Sequence, residues 1–145
     1  MPRSIAGAAL TALILAAAPA VADAKTYRGK TKQGRAVVVR TGGDGVVNYA
    51  RISWRAPCGG NRRYVSITWF RPPLDAATGV LLQDGGTYRV RLRGGLRSRI
   101  TASIAGQRDP ATDRWAGTFA VNVRVTRRGR TIDRCELKRA TWTAR

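Results

Sequence analysis

Residues 88–105 read YRVRLRGGLRSRITASIA, with arginines at positions 89, 91, 93, 97 and 99. A guanidinium stays charged at physiological pH, and its planar fork of donors matches phosphate or carboxylate oxygens two at a time. Alternate positions on a strand share one face, so Arg89, Arg91, Arg93, Arg97 and Arg99 form a cationic row, while Tyr88, Val90, Leu92, Leu96, Ile100, Ala102 and Ile104 line the opposite face. A second concentration runs through Arg124, Arg127, Arg128, Arg130 and Arg134, and a third through Arg62 and Arg63. The chemistry on offer is anion binding.

Other chemistry is thinly supplied. The chain has no histidine, so the commonest general base and metal ligand is missing, and no GxSxG, HExxH or P-loop pattern occurs. Asp44, Asp84, Asp109 and Asp113 sit beside Gly or Pro or in turn segments, where a carboxylate is expected to bond its own backbone. Asp133 and Glu136 flank Arg134 and Cys135 and are expected to pair with neighbouring arginines. The expectation is a non-enzyme with no cofactor and no metal.

The first 24 residues, MPRSIAGAALTALILAAAPAVADA, have the layout of a secretory signal: basic Arg3, an apolar stretch from Ile5 to Ala18, and small residues at Ala22 and Ala24. Cleavage is expected after Ala24, with Ala18-Pro19-Ala20 as a second site, leaving residues 25–145 as one secreted domain, extracellular or associated with the cell envelope. The apolar run is shorter than the roughly 20 residues a bilayer requires. In an oxidising compartment the two cysteines, Cys58 and Cys135, are expected to form one disulfide, worth about 4–5 kcal/mol by chain entropy.

The elements that must position the arginines are strands. A short apolar run at 35–40 and period-two patterning through 46–55, 64–70, 88–105, 115–125 and the last residues are separated by Gly- and Pro-rich turns. The fold expected is all-β, a single antiparallel sandwich or barrel of roughly seven to nine strands. Ala50, Ile52 and Trp54 share one face, as do Trp115, Phe119, Val121, Val123 and Val125. Trp69, in phase with Val65 and Ile67, is assigned with Trp54 and Trp115 to the core, which argues against a base-stacking platform; Trp142 is left open. Residues 71–86, RPPLDAATGVLLQDGG, have no period and form the longest irregular piece, within which Val80, Leu81 and Leu82 are expected to tuck into the core or add a short strand.

An 18-residue run is too long for one strand, so Gly94-Gly95 must mark a turn. A three-residue loop of Gly94, Gly95 and Leu96 keeps the faces pure and sets Arg93 opposite Arg97 and Arg91 opposite Arg99. Like charges across a ladder are unfavourable, but in water the cost stays below about 1 kcal/mol, so the row alone does not require a ligand.

Lys and Arg total 27 against 8 acids, a net charge of +19, and loss of the first 24 residues removes Arg3 and Asp23 and leaves that net unchanged. Two readings stay open: selection for an anionic partner, or GC-rich coding together with solubility. The pieces Gly29-Lys30-Thr31-Lys32-Gln33-Gly34-Arg35, Cys58 after a Trp strand, Gly117-Thr118-Phe119, and Cys135 with Trp142-Thr143-Ala144 carry a further hint. In them the chain resembles a group of small, exported, disulfide-bonded β proteins from high-GC bacteria. The resemblance implies an all-β, secreted, disulfide-linked protein and transfers no activity.

Function is therefore expected to be non-catalytic association with anionic wall polymer, an anionic lipid surface or extracellular nucleic acid. The candidate residues are Arg89, Arg91, Arg93, Arg97, Arg99, Arg124, Arg127, Arg128 and Arg130. The alternative is a protein-recognition or inhibitor module presenting the 71–86 loop.

Overall fold

A computed structural model describes residues 23–71 and 81–145. The strands are β1 (Thr26–Thr31), β2 (Ala36–Thr41), β3 (Val47–Pro57), β4 (Arg63–Phe70), β5 (Leu81–Arg91), β6 (Leu96–Asp109), β7 (Arg114–Arg127) and β8 (Arg130–Ala144). They form one antiparallel 8-stranded sheet in the order β4-β3-β2-β1-β8-β7-β6-β5, curled into a nearly closed barrel. All adjacent strands are consecutive in sequence except β1 and β8, which pair at Gly29–Ala144, Lys30–Thr143 and Thr31–Trp142. The expected signal segment, apart from Asp23 and Ala24, and positions 72–80 of the expected loop lie outside the described residues. Positions 81–86 are not loop: they begin β5, paired along Leu81–Gln107 to Gly86–Ala102.

The seam between β4 and β5 is spanned by side chains. Tyr64 Oη and Ser98 Oγ share a hydrogen bond of 2.7 Å, and Thr68 Oγ1 and Tyr88 Oη one of 2.8 Å. Thr68 Oγ1 also accepts from the buried indole of Trp54 at 2.8 Å, so this hydroxyl ties the core to the seam. Burial, the largest effect, raises the pKa of the half-buried Tyr88 phenol, and the hydrogen bond to Thr68 opposes it.

The core follows the alternation. Ala50, Ile52, Trp54, Trp115, Phe119, Val121, Val123 and Val125 all face inward, as their phase predicts, and Trp142 joins them. An inward row of Gly106, Gly117 and Trp142 crosses β6, β7 and β8. The Trp142 ring lies over both glycines: a Cβ on Gly106 would stand 2.5 Å from the ring, and one on Gly117 2.6 Å. The indole N–H reaches Thr118 O at 3.1 Å. A full-size indole fits inside the barrel because the two positions beside it carry no side chain.

Trp69 is a correction. It is 53% exposed and Val65 56% exposed, because the inward face of β4 is the other set. Tyr64 stacks on Trp54 (centroids 5.8 Å apart), and Phe70 meets Phe119 edge-on at 6.5 Å. Both faces of RYVSITWF carry large apolar or aromatic residues, and the phase is decided by which aromatics find partners across the barrel.

The Cys58–Cys135 disulfide is formed, with a sulfur–sulfur distance of 2.01 Å. β1 covers only the last residues of β8, and Cys58, just beyond β3, meets Cys135 by a backbone bridge farther up the same edge. The disulfide pins the barrel where β1 has ended. The two sulfurs approach Asp133, but being bonded to each other they are not available as metal ligands.

Candidate anion-binding surface

The β5–β6 hairpin differs from the expected register by two residues. Its loop is Arg93-Gly94-Gly95, closed by Leu92 N–H donating to Leu96 O at 2.9 Å. Gly94 (φ 71°) and Gly95 (φ 73°) both occupy the left-handed region, so the two glycines must be the last two loop residues. Arg93 is therefore in the turn, not opposite Arg97. The rungs are Arg91 with Arg97 and Arg89 with Arg99. Face purity survives, because a shift of two preserves the alternation.

The row continues beyond the hairpin. Arg99 pairs with Arg124 on β7, and Arg124 with Arg134 on β8, so Arg89, Arg99, Arg124 and Arg134 stand abreast on four adjacent strands. All four are exposed. Strands lie about 4.8 Å apart, which spreads the four stems over about 14 Å of rigid sheet. The next row, toward the hairpin, is Arg91, Arg97, Thr126 and Thr131. A shallow groove of about 800 Å³ lies along part of this face, lined by Arg99, Thr101, Asn122, Arg124, Arg134 and Glu136 beside the disulfide.

Arg127, Arg128 and Arg130 come to the same end of the barrel as Arg93, because Leu96 pairs with Arg127 and Arg127 with Arg130. The β7–β8 turn is Arg128-Gly129, with φ of 48° and 80°. Two left-handed residues make the primed hairpin turn, a position that favours Asn or Gly over Arg. All nine candidate arginines thus sit on one continuous surface, the outer face of β5–β8 and its end turns. Arg134 was missing from the candidates: counting straight back from the Arg128-Gly129 turn sets Asp133 opposite Arg124, and the irregularity between Val125 and Thr126 is what brings Arg134 there.

Among the described residues, acidic partners are absent from this surface apart from Glu136. Among the described residues the ion pairs are Lys25–Asp113, Arg108–Asp113 and Arg62–Asp133, and none involves the nine candidates or Arg134. Asp133 does pair with an arginine, as expected, and also accepts from Gly59 N–H at 3.2 Å; Glu136 makes no such pair. Two neighbouring guanidinium groups about 5 Å apart in water repel by about 0.8 kcal/mol, which the sheet's hydrogen bonding outweighs.

Acids gather at the opposite end. Asp44 accepts from Val46 N–H at 3.0 Å, and Asp109 from Ala111 N–H at 3.0 Å and the Thr112 hydroxyl at 2.7 Å, the turn roles expected of them. Asp84 bonds Gly85 N–H at 2.7 Å, but from within β5. Asp113 departs from expectation: at φ 51° it turns away from its own backbone and receives Lys25 Nζ at 3.1 Å and Tyr27 Oη at 3.0 Å. The Lys25 hydrogen bond, the largest influence, holds its carboxyl below the usual range, and the Thr112 hydroxyl does the same for Asp109. Turn acids thus lie at one end, among Lys25, Arg28, Arg108, Arg114 and Arg145, and the arginine turns lie at the other. No protein-family model, curated protein or solved structure matches the chain.

Proposed function

We propose that this is a non-catalytic, exported basic β domain that associates, through the outer face of β5–β8, with anionic material at or outside the cell envelope: wall polymer, lipid headgroups or nucleic acid. The observation that carries the reading is the row Arg89–Arg99–Arg124–Arg134, four arginines abreast with no ion-pair partner among the described residues. The sheet fixes the spacing of the four stems, so binding orders only the side chains themselves, and a flexible polyanion laid across the strands relieves their mutual repulsion. Arg91, Arg93, Arg97, Arg127, Arg128 and Arg130 extend the same field toward one end and serve encounter more than grip. The disulfide accords with an oxidising compartment.

The test is a titration of the oxidised chain from Lys25 onward with unrelated duplex DNA and with a phosphodiester wall polymer over a salt series. Binding that weakens steeply with salt, each neutralised phosphate adding about 0.9 to the slope, supports the reading. Absence of binding to either polymer at low salt removes it.

A further inference from the structure

The large exposed apolar side chains among the described residues are Val65, Trp69 and Ile132, and two of the three stand on one face of β4. Between them, on the same face, lies the half-buried Ile67. Arg63 precedes this triplet on the strand and Arg71 follows it, both exposed. On β3, Arg51 is paired with Trp69, Ser53 with Ile67 and Arg55 with Val65. The surface is thus three apolar side chains in a line, with arginines beyond both ends and along one flank. β4 is also an edge of the sheet, bonded to β3 on one side and facing the seam on the other.

We infer that this outer face of β4 docks on an anionic lipid bilayer, Trp69, Val65 and Ile67 entering the headgroup boundary while Arg51, Arg55, Arg63 and Arg71 meet lipid phosphates. An indole beside aliphatic side chains suits that boundary, where one end of the ring is apolar and the other wet, and cationic side chains beside it match a negative headgroup layer. Single-stranded nucleic acid fits less well, since base stacking uses successive aromatic rings and this face offers one. The inference rests on residues apart from the arginine row of β5–β8, so either can fail alone.

The structure supplies its own reporter. Trp54, Trp115 and Trp142 are 0–1% exposed, leaving Trp69 as the tryptophan that a lipid quencher can reach. The experiment mixes the oxidised chain from Lys25 onward, which carries all eight strands, with vesicles of phosphatidylcholine and about one-third phosphatidylglycerol, brominated on the acyl chains. The expected result is quenching of part of the emission, its loss in Trp69→Phe, and a fall in vesicle affinity of about tenfold or more in Val65→Ser/Trp69→Ser. Vesicle binding without quenching, or quenching that persists in Trp69→Phe, overturns the docking site while leaving the polyanion reading intact. So does binding of duplex DNA with no binding of vesicles. Self-association of the protein that is abolished by Val65→Ser/Trp69→Ser, with vesicle affinity unchanged, assigns the face to a second copy and likewise overturns the inference.

Discussion

Substituting alanine for Gly117 tests the packing that shapes the barrel. The added Cβ would collide with the Ala105 carbonyl oxygen and lie 2.7 Å from Gly106 Cα and 2.6 Å from the Trp142 ring. Two of these neighbours are backbone in paired strands and the third is a ring packed in the core, so none can move aside cheaply. Overpacking of this kind costs about 3 kcal/mol, the upper part of the usual range. At roughly 4 °C per kcal/mol for a domain of this size, the melting temperature should fall by about 12 °C. Gly86 is the matched control, since a Cβ there meets nothing within 4 Å. Gly86→Ala should be neutral or stabilising by up to about 1 kcal/mol, through the smaller entropy of the unfolded chain. Thermal unfolding followed by near-ultraviolet circular dichroism reads both, because Trp142 reports its own environment. A Gly117→Ala variant melting within about 2 °C of the parent, or a Gly86→Ala variant falling as far, refutes the cradle.

Three further outcomes follow from the same geometry. The disulfide spans a sequence separation of 77, so Cys58→Ser/Cys135→Ser should lose about 4.5 kcal/mol by chain entropy in denaturant titration, and an unchanged midpoint would show that β8 is held without it. Thr68→Val should cost about 2 kcal/mol by orphaning the buried Trp54 N–H, against about 1 kcal/mol for Tyr88→Phe, which leaves that bond in place; equal losses would remove Thr68 as the node. Asp109 and Asp113 have folded pKa values below their ordinary ones, so in acid the unfolded chain binds more protons. Their contribution is complete above about pH 4 and is lost as pH falls through the lowered values. Asp109→Asn/Asp113→Asn should flatten the acid limb of the stability profile, and a parallel limb would deny these carboxylates that role.

Sequence alternation was a sufficient guide wherever one face of a strand was apolar and the other was not. β3 and β7 lie as their patterns require, and the arginines of β5 and β6 point outward as a set. β4 failed because Val65, Ile67 and Trp69 compete with Tyr64 and Phe70 for the interior, and only the positions of Trp54 and Phe119 across the barrel decide between them. β1 was missed because TYRGKT buries only Tyr27 and Thr31 fully, too sparse a pattern to stand out. The start of β5, QDGG, has poor strand propensity and is strand because β6 pairs with it throughout. The four-strand arginine row was illegible for a different reason. It depends on the registers of the β5–β6, β6–β7 and β7–β8 hairpins together, including an irregularity at Val125/Thr126 that no local pattern marks.

The central claim is that the row, not the total charge of +19, grips the polyanion. The most direct measurement compares two variants of equal net charge in a salt titration against duplex DNA. One carries Gln at Arg89, Arg99, Arg124 and Arg134, the other Gln at Arg28, Arg114, Arg139 and Arg145, exposed positions outside the row. The account predicts that the row variant loses about 3 to 4 from the slope of log affinity against log salt, while its charge-matched counterpart loses less than about 1. Equal losses in the two variants would contradict it and leave only diffuse charge.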